Sequence, residues 1–274
     1  ESKTVPLSKE GHERYRRVLG RLAWASLTRA DLQYVVSFLG RFQAGPTEAA
    51  EQCMRTTLRW VISLTHRVQQ FPSDRVLLSA EPNPREVICY VDASWSANSV
   101  SGCTISWCGC CLKTFARKQS TTALSSAEAE VVAYVEAAKE AVYISLLVES
   151  LTDGIPDHCE TGSFGIRMFG DSQAALAIAG MNTLLRRVRH LEWRVQYLQE
   201  LVRSGRVVVL YWTGKENPGD ALTKSPTPEM IEYLYEACGL VESPVEEDSV
   251  TFVTFSEEVV VAFVEKKSTK SKGR

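Results

Sequence analysis

Along the first third of the chain, apolar positions recur three and four residues apart, the spacing of one helical face. Tyr15, Leu19, Leu22, Ala23 and Trp24 form one stripe. Leu32, Val35, Val36, Phe38 and Leu39 form a second, with Asp31 near its start. Thr47 is placed to cap a third helix through Ala50, Met54, Leu58, Trp60 and Val61, and Gly45-Pro46 separates it from the second. Residues 1–80 therefore read as a small helical module, with the helical pattern over 12–70. Prolines and polar residues at 71–74 and 81–84 read as a linker. From Arg85 the period changes to two. Short strands are predicted at about 86–94, 102–109 and 112–118, and the tight connection Cys108-Gly109-Cys110 makes the last two a hairpin, so that all three run antiparallel.

The helical period returns over about 126–151. Ser125 and Glu128 have the S-x-x-E spacing of a capping box, and Ala133, Ala137 and Ala141 form a small-residue stripe that lets a helix approach a sheet. A fourth strand at about 164–170, helices at 172–181 and 190–204, a fifth strand at 206–212 and a short helix after Pro218 follow. Strands, helix, strand, helices, strand, helix is an α/β order that predicts a mixed five-stranded sheet with flanking helices over 86–240, preceded by the helical module. Branching the last two strands off the antiparallel three puts Asp92 and Asp171 at neighbouring strand positions, where open α/β sheets place their sites. Residues 241–274 read as an acidic linker, a β-prone stretch at 250–264 and a basic tail.

Composition adds limits. The 274 residues carry a formal net charge of -2, with 45% hydrophobic and 23% charged residues, which excludes a generic polycation and fits a globular protein. Residues 1–80 nevertheless hold about five more Lys and Arg than Asp and Glu, a basic module beside an acid-bearing one. Eight cysteines include one cluster, Cys108-Gly109-Cys110-Cys111, with no second cluster or nearby His to complete a zinc site; alternation through Thr104 to Cys108 makes these packing residues of a strand. No secretory leader and no apolar run of membrane-spanning length are visible, so an intracellular, reducing compartment and no membrane partner are the expectation.

Four acids stand out by their settings. Asp92 interrupts the run Val87-Ile88-Cys89-Tyr90-Val91, Glu130 lies one turn inside the long helix, Asp171 closes Ile166-Arg167-Met168-Phe169-Gly170, and Asp220 lies in Asn217-Pro218-Gly219-Asp220-Ala221-Leu222. Acids at the ends of buried elements are costly unless a cation or hydrogen bonds compensate them. Four converging oxygen donors make a site for hard cations such as Mg2+ or Mn2+.

These motifs carry a resemblance. Tyr90-Val91-Asp92-Ala93-Ser94-Trp95, Ala123 through Glu130, Gly170-Asp171-Ser172-Gln173-Ala174-Ala175, Arg189-His190-Leu191 and Asn217 through Lys224 resemble, in order and spacing, the ribonuclease H domain of copia-type LTR retrotransposon polyproteins, over about 86–240. Tyr15 through Leu22, Thr28 through Leu32 and Phe42 through Pro46 are similar to the thumb-like connection after a reverse-transcriptase palm. The resemblance implies a ribonuclease H-like fold and a metal-dependent endonuclease that hydrolyses the RNA strand of RNA–DNA hybrids during reverse transcription. It implies catalytic and metal-binding roles for Asp92, Glu130, Asp171 and Asp220, with two Mg2+ ions and Mn2+ as the alternative. Glu130 is preferred to Glu128 because it has the E-x-x-A pattern facing the alanine stripe, whereas Glu128 is accounted for by the capping box.

Further expectations follow from the same resemblance. Gln173 is matched to a contact with the hybrid minor groove, and His190 with Arg187 and Arg189 to phosphate contacts at a helix start. The partners implied are the hybrid and the remainder of a Pol polyprotein, polymerase palm and fingers and integrase, in a cytoplasmic virus-like particle or the nucleus. The loop Thr213 through Gly219 lacks the His that many relatives carry before the last Asp, leaving Glu216 or Lys215 as stand-ins. Tyr90-Val91-Asp92-Ala93 has Ala where polymerases have a second Asp, and no palm precedes it, so polymerisation by this chain alone is not expected. The alternative reading is a catalytically inactive nucleic-acid-binding or interaction module derived from a retroelement.

Overall fold

The structure is a computed structural model describing residues 5–64, 67–71, 86–152, 165–181 and 192–242. The described residues fall into two compact units, one drawing on 5–21, 38–64, 67–68 and 241–242, the other on 22–37, 69–71, 86–152, 165–181 and 192–240. The β-prone stretch and basic tail lie outside the described residues, as does most of the linker.

In the first unit, helix α1 (Lys9–Ala25) supplies Tyr15, Val18 and Leu19, and α3 (Glu48–Ser63) supplies Met54, Leu58 and Val61, all buried. Thr47 caps α3, its hydroxyl accepting from the Ala50 N–H at 3.3 Å. The Tyr15 hydroxyl donates to the Leu39 carbonyl at 2.8 Å, and Arg14 pairs with Glu51 at 2.7 Å. Two details differ from the sequence reading. Trp24 is 65% exposed, because it lies on the opposite side of α1 from Tyr15 and Leu22. The second stripe splits into a short 3-10 turn, Ala30–Leu32, and α2 (Gln33–Gly40), with Leu32 and Leu39 buried and the residues between them only partly so.

The second unit is a mixed five-stranded sheet with flanking helices. Strands β1 (Glu86–Ser94), β2 (Val100–Trp107) and β3 (Cys110–Lys118) form an antiparallel meander, and β4 (Gly165–Gly170) and β5 (Val207–Tyr211) add in parallel on the other side of β1. Spatial order is β3-β2-β1-β4-β5. The second strand starts earlier than expected, and the hairpin turn is Cys108-Gly109 alone, with φ of 49° and 73°. Two positive-φ residues match the twist of the flanking strands, so Cys110 already belongs to β3.

Both faces of the sheet are covered. On one, Val87, Cys89 and Val91 pack with α4 (Ser126–Thr152), whose Ala133, Ala137 and Ala141 are fully buried, and with α5 (Gln173–Gly180) and α6 (Glu192–Arg203). On the other, Val100 and Ala116 pack with Leu222, Leu234 and Tyr235. The last two come from α7 (Pro228–Cys238), an element missing from the sequence reading although Thr227 caps it, Pro228 opens it and Gly239 closes it with φ of 63°. The Tyr235 hydroxyl donates to the buried Asp31 carboxylate at 3.2 Å, and Arg29 pairs with the same acid at 2.7 Å.

One glycine fixes how the last segment meets the sheet. Gly102 faces Asp92 in the β1–β2 register, and a Cβ there would lie 2.8 Å from Leu222 Cβ and 3.0 Å from the Gly219 carbonyl. Gly102→Ala is therefore expected to lower unfolding stability by about 1–3 kcal/mol, the usual penalty of overpacking. Urea denaturation checks this; unchanged stability would show that the 217–224 segment is free to shift.

Candidate metal centre

Each acid reaches the centre from a different element. Asp92 comes from the central strand β1, where Tyr90 pairs with Phe169 of β4, so Asp171, two residues past Phe169, lies beside it at the same end of the sheet. Glu130 comes from the second turn of α4 and Asp220 from a 3-10 turn, Pro218–Leu222. Asp92, Glu130 and Asp171 each offer a carboxylate oxygen, all within 4.8 Å of one another. Asp220 stands outside that group of three. Its carboxylate acts on all three electrostatically and pairs with Lys224 Nζ at 2.7 Å.

The choice between Glu128 and Glu130 has a geometric basis. Ser125 Oγ accepts from the Glu128 N–H at 3.3 Å, as a capping residue does. The Glu128 carboxylate accepts from the Leu124 N–H at 2.8 Å. Glu128 is thus tied to the helix start, while Glu130 points into the acid group.

Asp92 and Glu130 are 3% and 8% exposed. Burial, then the neighbouring Asp220, pushes the Asp92 carboxyl up to about 7, against the hydrogen bond from Thr223. Burial, then Asp92 and Asp171, pushes Glu130 up to about 9. Asp171 is raised in the same direction by burial and Asp220, and Lys224 is raised through its bond to Asp220. Among the described residues, Glu130 Oε2 and Asp220 Oδ1 are buried without a hydrogen-bond partner. An all-oxygen donor set with orphaned acceptors fits a hard divalent cation.

A clamp that sequence reasoning did not assign holds the fourth acid in place. Asn217, 1% exposed, donates through Nδ2 to the Val91 carbonyl at 2.9 Å and accepts at Oδ1 from the Gly219 N–H at 2.9 Å. It thereby ties the Asp220 segment to the residue preceding Asp92. The Thr223 hydroxyl donates to Asp92 Oδ2 and fixes that carboxylate. Gly214 lets its loop approach Asp171, whose carboxylate a Cβ there would strike. The signal was present in the run Asn217-Pro218-Gly219, an N-cap before a helix-opening Pro, but its long-range partner was not.

The other expected contacts fare differently. Gln173 is exposed at the first turn of α5, beside Asp171 and next to the cap Ser172. Arg187, Arg189 and His190 lie outside the described residues. Lys215 and Glu216 are exposed on the loop before Asp220, where the Trp212 indole N–H donates to the Glu216 carbonyl at 3.2 Å. The seven described cysteines are free thiols, Cys111 buried and Cys108 and Cys110 half-buried at the hairpin. No helix among the described residues is long and apolar enough to cross a membrane.

Two outcomes are expected. The folded chain keeps protons on Asp92 and Glu130 that the unfolded chain loses above its ordinary carboxylate range, so unfolding releases protons between about pH 4 and 9. Metal-free stability should fall as pH rises through that window, and added Mg2+ should raise the melting temperature more at pH 8 than at pH 5; equal shifts at both would contradict the protonated centre. Thr223→Val removes the donor to Asp92 and should weaken Mn2+ binding roughly 10–100-fold in a titration while the chain stays folded.

No family model matches the chain. It is 24% identical over 232 residues to the retrovirus-related Pol polyprotein from transposon TNT 1-94 of Nicotiana tabacum, covering 82% of this chain and 16% of that protein. To the retrovirus-related Pol polyprotein from transposon RE1 of Arabidopsis thaliana it is 22% identical over 241 residues, covering 84% and 15%. The chain thus spans only 15–16% of the length of these Pol polyproteins. It is also 30% identical over 125 residues to secreted RxLR effector protein 161 of Plasmopara viticola, covering 44% of this chain and 82% of that protein. The chain belongs to one family with the Plasmopara protein and is a relative, over most of its length, of a segment of the retrovirus-related Pol polyproteins of plant transposons.

Proposed function

We propose that this chain is the ribonuclease H segment of a copia-type Pol polyprotein, with part of the polymerase connection ahead of it, and that it cuts the RNA strand of RNA–DNA hybrids. The observation that carries the reading is the meeting of Asp92, Glu130 and Asp171 within 4.8 Å at one end of the mixed sheet. Strand order and the antiparallel-then-parallel pairing support a ribonuclease H-like fold.

Asp92, Glu130 and Asp171 would hold divalent cations, with Asp220 as the outer carboxylate. Bound there, two Mg2+ ions would supply a nucleophilic hydroxide and a Lewis acid for the leaving oxygen. The chain's own groups prepare that site. Thr223 orients Asp92, Asn217 fixes the Asp220 segment, and Lys224 neutralises Asp220 beside it. Asp92 and Glu130 release their protons as a cation is taken up, which couples loading to pH. Gln173, exposed two residues after Asp171, would contact the minor groove, where the 2′-hydroxyl distinguishes RNA from DNA. Arg187, Arg189 and His190 are assigned to phosphate contacts, and the remaining Pol domains are the covalent partners in a cytoplasmic particle.

The second reading is an inactive interaction module; its support is the Plasmopara relative, whose name describes a secreted effector. Labelled RNA–DNA hybrid incubated with Mg2+ separates the two. The wild-type chain should cut the RNA strand, and Asp92→Asn should lower the rate roughly a thousandfold, the loss expected when several kcal/mol of metal-assisted stabilisation disappear. Equal cutting by both proteins, or none by the wild type, would overturn the nuclease reading.

A further inference from the structure

Trp95 is the residue at the rim of the acid centre for which the nuclease reading has no use. It follows β1 directly and lies three residues beyond Asp92, a chain distance of roughly 10 Å in extended backbone. Its side chain is 57% exposed, and Leu124, on the entry to α4, is 70% exposed. The indole N–H donates to the Ala123 carbonyl at 3.1 Å, which links the two segments. That bond uses the only polar atom of the indole, so the ring offers solvent an apolar face and no hydrogen bond.

The turn that carries Trp95 is braced. Ser94 Oγ accepts from the Val100 N–H at 3.2 Å, and Ser99 Oγ accepts from the Ser96 N–H at 3.1 Å. The Gln119 N–H donates to the Ser99 carbonyl at 2.8 Å. A large apolar ring is therefore held in one place in water instead of folding back on the sheet, so little side-chain freedom remains to be lost on contact. On the loop before α4, Ser120 and Thr121 accept from the Arg194 guanidinium at 3.2 and 3.0 Å. Exposed aromatic faces and guanidinium groups are the side chains that engage nucleic acid without reading sequence.

We infer that Trp95 is a substrate-docking residue, its ring seated against the sugars of an RNA–DNA hybrid in the minor groove beside the scissile phosphate. This rests on the hybrid-cutting reading and adds a determinant of affinity to it. An A-like duplex has a wide, shallow minor groove that a protruding ring can enter. The indole meets the sugars there.

Binding of a fluorescently labelled hybrid in EDTA, where no cutting occurs, tests this through Trp95→Ala and Trp95→Phe, with thermal melting as the check on folding. Trp95→Ala should weaken hybrid binding about tenfold, within the range for loss of one aromatic contact, with the melting temperature unchanged. Trp95→Phe should stay within about threefold of the wild type by the same argument. Equal affinity of wild type and Trp95→Ala overturns the inference, as does an Ala variant that binds weakly only because it melts early. Cleavage by the wild type in Mg2+ reports separately on the nuclease reading. A wild type that binds hybrid without cutting sinks that reading and leaves the Trp95 ratio decisive, whereas a wild type that binds no hybrid sinks the inference as well.

Discussion

Asp92 and Glu130 are buried side by side with Asp171 close to both; burial and Asp220 push Asp92 to about 7, and burial with Asp92 and Asp171 pushes Glu130 to about 9. Like charges this close in a poorly solvated site cannot all ionise unless a cation joins them. Much of the sheet unit can be understood as the scaffold that holds this repulsive group together. The alanine stripe of α4 lets Glu130 come down onto the sheet end, and the parallel pairing of β4 with β1 brings Asp171 beside Asp92. Asn217 then straps the last acid-bearing turn to Val91. The arrangement is destabilising without a cation; a bound divalent cation would make it favourable, which is how a site trades stability for binding.

Asp220 is handled differently from the other three. It keeps a lysine partner at 2.7 Å and stays outside the group of three. Lys224 therefore acts as a resident positive charge that screens the centre from one side. A cation drawing Asp220 inward must compete with that ammonium for the carboxylate. On the proposed reading this gives the fourth acid an adjustable role and makes Asp92, Glu130 and Asp171 the fixed donors.

Strand positions, the long helix and the acids were legible in the sequence because each depends on local pattern. Asp92 stood out by interrupting an apolar run, and Glu130 was separated from Glu128 by its E-x-x-A pattern toward the alanine stripe together with the capping-box spacing of Glu128. What sequence could not supply was contact between distant segments. The Asn217 strap bridges residues far apart in the chain, and the need for Gly at 102 arises only because Leu222 crosses that position. Helix α7 had local signals at Thr227, Pro228 and Gly239, but its weak stripe of Leu234, Tyr235 and Cys238 has meaning only against the second face of the sheet. Trp24 shows the reverse error, an apolar residue counted into a stripe that the helix turns toward solvent.

The claim on which all of this depends is that the three carboxylates form one divalent-cation site. Electron paramagnetic resonance of Mn2+ titrated into the metal-free chain at pH 8 tests it most directly, with Glu130→Gln as the comparison. The account predicts a saturable loss of the free Mn2+ signal for the wild type and a much weaker one for Glu130→Gln. Identical titrations for the two proteins, or no bound Mn2+ in the folded wild type, would contradict it.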